Sequence, residues 1–332
     1  MGEKTREKMN ISRIPKDKHK SLYEMMLRIR KVEEKIVELY PEQEMRCPTH
    51  LSIGEEAVAV GVCEALRADD HIYSTHRCHA HYIAKGGKLK PMLAELYGKR
   101  TGCSRGKGGS MHLGAPEVGM LGTSAIVGSA IPLAVGSAFS SVFQGIDRVS
   151  VSFFGDAAVE QGTFYESLNF ASLKKLPMLF VCENNLYSTQ SHISKRQPRD
   201  NIYERSKPFG VPGFRVDGND ILAVYRAAKR AIARCRRGEG PTLIECRTYR
   251  WREHVGPNYD YDLGYRTREE VEEWMTRCPI KMYSEILIDL GIISQHELNN
   301  IATQLDAEIT EAVAFAKNSP MPNKDELFDH VY

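Results

Sequence analysis

The sequence predicts an α/β protein: a central, mostly parallel sheet flanked by helices, with helical extensions at both ends. Three observations carry this. The run VSVSFF after Arg148 and the run MLFVC after Pro177 are short and apolar, and residues 161–173 between them show helical periodicity through Phe164, Leu168 and Ala171. Strand, helix and strand at that spacing make a right-handed parallel unit. Near the N-terminus, Leu22, Met25, Met26, Ile29, Val32, Ile36 and Leu39 recur at helical spacing among charged residues until Pro41. Beyond residue 267, three helical patterns follow at 268–277, 279–290 and 294–317, the last opened by a Ser294/Glu297 capping box.

The remaining elements fit the same frame. Residues 54–66, rich in Ala and Val, predict a closely packed helix, and 131–143 predict a buried one. A helix over 221–237 and a strand over 242–246 extend the α/β region to about residue 250. Between Gly98 and Gly128 lie Gly102, Gly106, Gly108, Gly109, Gly114, Gly119 and Gly122. Such density marks loops whose backbone approaches something closely.

Composition bounds the function. The 332 residues carry a net charge of +2 and are 42% hydrophobic and 27% charged. This is a globular composition without the charge excess of a nucleic-acid binder, and no apolar run reaches the roughly 20 residues of a membrane helix. The eight cysteines form no C-x-x-C pair and read as free thiols of a reducing compartment, here the cytoplasm. Residues 1–17 are polar, of mixed charge and without the apolar core of a secretory signal. They read as a flexible basic arm ahead of a single domain over 18–332, whose C-terminal part is helical from about 268.

Asp156 follows the first strand of the predicted unit and Asn185 follows the second, 29 residues on. Both therefore emerge at the carboxyl edge of a parallel sheet, where open α/β sheets bind ligands. A carboxylate and an amide oxygen are hard donors. They suit magnesium, which completes its octahedron with phosphate oxygens and water. A diphosphate is the natural third party. The alternative is two unrelated turns.

The G-D and N-N pairs at this separation resemble the thiamine diphosphate motif. The flanking text, FFGDAAVEQGTFYESLNFASLKKLPMLFVCENNLYS, resembles the α subunit of the thiamine diphosphate-dependent 2-oxo acid dehydrogenases, which include the pyruvate, branched-chain and acetoin enzymes. The resemblance runs from about Tyr23 to Ile280. It implies the thiamine diphosphate-binding fold, with Asp156 and Asn185 as side-chain ligands of Mg2+ and Tyr187 as a backbone ligand. It further implies backbone contacts to the diphosphate from Ala157 and Ala158, where Ala157 replaces the family's Gly. His76 and Arg77, in STHRCHAHYIAKGG, stand at the family's diphosphate-binding pair. Val127, in GTSAIVGSAIPLAVG, becomes the wedge that bends thiamine, and Ala125, again in place of a Gly, a backbone contact to its aminopyrimidine. His254, in RTYRWREHVGP, sits near the reacting carbon, and His112, in KGGSMH, borders the substrate channel.

Two rival motif readings fail. TGCSRGKGGS is one residue short of a nucleotide-binding P-loop and lacks its Ser or Thr. His76, His79 and His81 lack an ordered fourth ligand for zinc. The resemblance implies oxidative decarboxylation of pyruvate or a similar short 2-oxo acid, with acyl transfer to the lipoyl group of a partner acyltransferase. Acetoin cleavage and a cofactor-free scaffold are the alternatives. It also implies a β subunit that supplies the activating glutamate, in a heterotetramer of two α and two β chains.

Overall fold

The structure, a computed structural model, describes residues 14–45 and 47–329. The expected arm falls largely outside them. Where it is described, Lys16 and Asp17 already belong to the first helix, α1 (Lys16–Leu39), which starts after Pro15. Proline at this point fits a helix start because it has no N–H for the first turn to leave unpaired.

Six strands form one parallel sheet in the order β2-β1-β3-β4-β8-β7. They are β1 (His71–Ser74), β2 (Met120–Thr123), β3 (Ser150–Gly155), β4 (Met178–Asn184), β7 (Gly213–Asp217) and β8 (Thr242–Arg247). A two-stranded antiparallel ribbon, β5 (Tyr187–Ser188) with β6 (Ser191–His192), stands apart from it. The centre of the sheet is buried on both faces, which is why β4 opens on a continuous apolar run, and in β3 Ser150 and Ser152 are buried along with the apolar residues.

The helices are α2 (Glu56–Cys63), α3 (His79–Ala84), α4 (Leu89–Leu96), α5 (Ala130–Phe143), α6 (Gly162–Leu173), α7 (Ile221–Arg236), α8 (Arg268–Thr276), α9 (Pro279–Asp289) and α10 (Gln295–Asn318). One core joins α1, α2, α4 and α7 to one face of the sheet, and a second joins α5 and α6 to the other. The capping box at Ser294 forms in both directions, with Ser294 N–H donating to Glu297 Oε2 at 2.9 Å and Glu297 N–H to Ser294 Oγ at 3.2 Å. Ion pairs Lys20–Glu297, Arg28–Glu308 and Lys31–Asp306 hold α10 along α1.

Besides the two-residue strands of the ribbon, five elements escaped the sequence reading. β1, β2 and β7 are only four or five residues long, and α3 and α4 have six and eight residues, too short for a period to show. One expectation is corrected. α5 is buried on only one face, through Ile131, Ala134, Val135 and Ala138, while Leu133, Phe139, Val142 and Phe143 are exposed, Phe143 at 83%. Phe170 and Leu173 of α6 extend this apolar surface, and the Phe139 and Phe170 rings meet edge-on at 5.5 Å.

Phe180 lies fully buried in the middle of β4. Phe180→Ala is expected to cost about 3–5 kcal/mol, read as a lower denaturation midpoint in urea.

Candidate active site

The chain order of the sheet reverses between β1 and β3, and a cleft opens at the carboxyl edge beside that point. Each strand that ends there delivers part of the lining. The loop after β1 brings Thr75, His76 and Arg77; β3 leads to Asp156, Ala157 and Ala158; β4 leads to Asn185 and Tyr187; the loop after β8 brings His254. The turn between β2 and α5 adds Ser124, Ile126 and Val127.

The register of β3 on β4 ends with Gly155 opposite Glu183, so Asp156 falls opposite Asn184 and Asn185 one residue further on, and both line the cleft. Asp156 opens a 3-10 turn over Asp156–Glu160 and is buried. Burial pushes its carboxyl above the ordinary value, against the opposing pull of Arg196, which pairs with both Asp156 and Glu160. Asn185 is fixed by Glu55: its Nδ2 donates to Glu55 Oε1 at 3.0 Å, and its Oδ1 accepts the Tyr187 N–H at 3.2 Å. The chain turns sharply here, since Leu186 has φ +75°, uncommon for a branched side chain. The Tyr187 hydroxyl donates to Glu270 at 2.9 Å, anchoring the turn to α8.

Glu55 is the central buried acid. Burial pushes its carboxyl up to about 7, with Arg77 pulling it down and Glu183 pushing it up. Its Oε2 is buried without a hydrogen-bond partner, and Arg77 Nε stands 3.6 Å from it. Arg77 also donates from Nη1 to the Leu51 carbonyl at 2.5 Å and from Nη2 toward His254 Nδ1 at 3.4 Å.

Three imidazoles gather over this arginine. The rings of His50, His76 and His254 lie 4.5–5.4 Å apart, and one nitrogen from each falls within 4.8 Å of the others. His254 arrives because its loop is zipped to the segment that carries His50. Trp251 N–H donates to the Ile53 carbonyl at 3.0 Å and Gly256 N–H to the Thr49 carbonyl at 2.9 Å. Gly54 makes this approach possible: at φ +101°, a Cβ there would lie 2.5 Å from the Trp251 ring and the Tyr249 carbonyl. Fully buried Arg250 braces the loop, donating to the Thr189 carbonyl at 2.7 Å and to the Tyr265 hydroxyl at 2.9 Å. Burial and Arg77 hold His76 down to about 4 and His254 to about 3, and the same causes with the neighbouring imidazoles hold His50 to about 2. All three are therefore neutral at pH 7.

The structure thus gathers His76, Arg77, Val127, Asp156, Ala157, Ala158, Asn185, Tyr187 and His254 in one cleft. Two predicted residues stand outside its lining. Ala125 is exposed on the turn between Ser124 and Ile126, and His112 turns its Nδ1 to the Gly108 carbonyl at 3.1 Å. His79 and His81 do not converge with His76; they are committed to Ser110 and to Ser74 and Glu183. Sequence reasoning missed His50, Glu55 and Arg196 as parts of the site. HLSIGEEA held the signal for the first two, since it places a histidine and two acids around a glycine, but nothing local marks Arg196.

The donor set fits a metal-bound diphosphate. Carboxylate, amide and backbone carbonyl oxygens are hard donors, and Glu55, whose buried Oε2 has no hydrogen-bond partner, lines the same cleft as Arg77. Fold and cleft define an α/β protein that takes an anionic ligand at the carboxyl edge of a parallel sheet. Within that class the chain belongs to the dehydrogenase E1 component family, whose family model matches residues 24–325. It is 44% identical to the alpha subunit of acetoin:2,6-dichlorophenolindophenol oxidoreductase of Bacillus subtilis (strain 168), over 94% of this chain and 92% of that protein. It is 40% identical to the pyruvate dehydrogenase E1 component subunit alpha of Porphyra purpurea (97% and 96%) and 37% identical to that of Rhizobium meliloti (strain 1021) (97% and 92%).

The neutral histidines set a pH dependence. In the unfolded chain each takes up a proton near 6.5, whereas in the fold none does until about pH 4 or below. Between those values the unfolded state binds more protons, so stability present above pH 6.5 is lost as pH falls. The loss is at most about 1.4 kcal/mol per pH unit for each histidine. His50→Gln is expected to flatten the slope of unfolding free energy between pH 6.5 and 4.5, measured by urea titration.

Proposed function

We propose that the chain is the α subunit of a thiamine diphosphate-dependent 2-oxo acid dehydrogenase, acting on pyruvate or a similar short 2-oxo acid. The observation that carries this reading is the meeting of Asp156 and Asn185 in one cleft at the sheet edge with the buried Arg77 and the imidazoles of His76 and His254. Thiamine diphosphate, when bound, supplies a nucleophilic carbon and an electron sink for decarboxylation. Asp156, Asn185 and the Tyr187 carbonyl hold Mg2+. Arg77, with His76 and the backbone of Ala157 and Ala158, holds the diphosphate.

The chain's own residues then do three things. Glu55 orients Asn185, so the amide oxygen faces the cleft. Arg77 donates toward His254 Nδ1, which leaves Nε2 as the nitrogen that carries or delivers a proton near the reacting carbon. Val127 and Ile126 form an apolar lip that excludes water from the reacting end. His112 and Ala125 enter this scheme only when the loops that carry them close over substrate. Acetoin cleavage is a second reading, favoured by the 44% identity to an acetoin oxidoreductase subunit.

The cleft is half of a site. No second diphosphate-binding half is present among the described residues, and the exposed apolar face of α5 and α6 beside Val127 calls for a partner. We assign that face to a β subunit, in an assembly of two α and two β chains that passes acyl groups to a lipoyl-bearing acyltransferase. Residues 18–332 act as one thiamine-binding domain. Eight free cysteines support a cytoplasmic setting, and no described helix is long and apolar enough to cross a membrane.

Two outcomes are expected. Calorimetric titration of the αβ assembly gives saturable binding of thiamine diphosphate with Mg2+, weakened by at least about a hundredfold in Asp156→Ala. Absence of binding in wild type would instead support a scaffold. Phe143→Asp leaves the isolated chain's circular dichroism unchanged but blocks recovery of the αβ assembly by gel filtration. Turnover of pyruvate, branched 2-oxo acids and acetoin with a dye acceptor identifies the substrate.

A further inference from the structure

The glycine-rich loop approaches a carboxylate of the protein itself. Glu95, on α4, is fully buried. Its Oε2 accepts the N–H groups of Ser104 and Gly106 at 2.8 and 2.9 Å, and its Oε1 those of Gly108 and Gly109 at 2.8 and 3.0 Å. Four backbone amides converging on one carboxylate form an anion-binding nest that already holds its anion. The glycines are what this wrapping demands. A Cβ at Gly102 would lie 2.2 Å from Glu95 Oε2, and Gly106 and Gly109 take φ +77° and +59°. From outside, Lys107 donates to the carbonyls of Glu326 and Asp329 at 2.5 and 2.8 Å, strapping the C-terminal turn over the loop.

The loop ends at buried Ser110, and there it touches the framework of the cleft. His79 Nε2 lies 2.8 Å from Ser110 Oγ, and Cys78 Sγ donates to the Ser110 carbonyl at 3.2 Å. Cys78 and His79 directly follow His76 and Arg77. On its other side His79 Nδ1 lies 3.3 Å from Glu33 Oε1, which also accepts the Ser52 N–H at 2.9 Å. Ser52 adjoins Leu51, whose carbonyl receives Arg77, and follows His50 by two residues. The segments that carry two of the three imidazoles, His50 and His76, and the arginine are thus tied to the end of the loop.

We propose that Glu95 is a positioning residue for the cofactor site: it sets the loop over 102–110, and through Ser110 and His79 that loop holds His76 and Arg77 in register for the diphosphate. The proposal deepens the reading given above and rests on it. Glu95→Gln keeps the size of the side chain but turns an NH2 group toward two of the four amides. Ser110→Ala keeps the nest and removes the contact with His79.

Both variants, assembled with the β chain, are tested in parallel. Glu95→Gln is expected to speed tryptic cleavage after Arg105 and Lys107, while Ser110→Ala keeps the wild-type rate. Both are expected to raise the Kd for thiamine diphosphate at saturating Mg2+ on the order of tenfold, with kcat at saturating cofactor nearly unchanged. A wild-type cleavage rate in Glu95→Gln, or a wild-type Kd in either variant, overturns the proposal. If Glu95→Gln does not assemble, the Kd of Ser110→Ala decides. If wild type binds no thiamine diphosphate, the functional reading falls, and the reaction of His76 with diethyl pyrocarbonate, followed by peptide mass, decides this proposal. Faster modification in both variants supports it, and an unchanged rate overturns it.

Discussion

The pairing of β3 with β4 is the constraint on which the rest depends. With Gly155 opposite Glu183, Asp156 lies level with Asn184 and Asn185 one residue further on, and both reach the cleft at the carboxyl edge. A slip of one residue would change the face that each side chain of the shifted strand meets. The register is secured by burial on both sides, since Phe153, Phe154, Phe180 and Val181 are all essentially inaccessible to water. Everything polar in the cleft is then hung from fixed strand ends, and Glu55 joins two of those ends by touching both Asn185 and Arg77.

Much of this was legible in the sequence, and the pattern of success is physical. The β3–α6–β4 unit was readable because its strands are short and mostly apolar and its helix is long enough to show a period. Asp156 and Asn185 followed from it, since each lies within three residues of the end of an apolar run. His254 and Arg77 were legible only through resemblance, because the contact that joins them is 177 residues long in sequence. His50, Glu55 and Arg196 stayed hidden for the same reason: each acts through a partner remote in the chain. The glycine-rich loop was half legible. Its glycines announced a close approach, but the object approached, Glu95, lies on a helix that the sequence reading did not find.

The apolar surface of α5 and α6 has a place in the same scheme. Read alone, α5 has the composition of a buried helix, yet only one of its faces is covered by this chain. The helix begins three residues after Val127, and its first residues, Ala130 and Ile131, line the cleft, so the uncovered face belongs to an element that also borders the site. Arg77 and Glu55 lie buried together in the cleft, with the imidazoles around Arg77, and Arg196 rests on Asp156.

The central claim is that Asp156 and Asn185 share a divalent cation. Anomalous diffraction from the αβ assembly crystallised with thiamine diphosphate and Mn2+ tests it most directly. The account requires a single manganese peak bridging the Asp156 carboxylate, the Asn185 amide oxygen and the Tyr187 carbonyl, with Arg196 displaced from Asp156. A peak among His50, His76 and His254 instead, or none at the sheet edge, would contradict it.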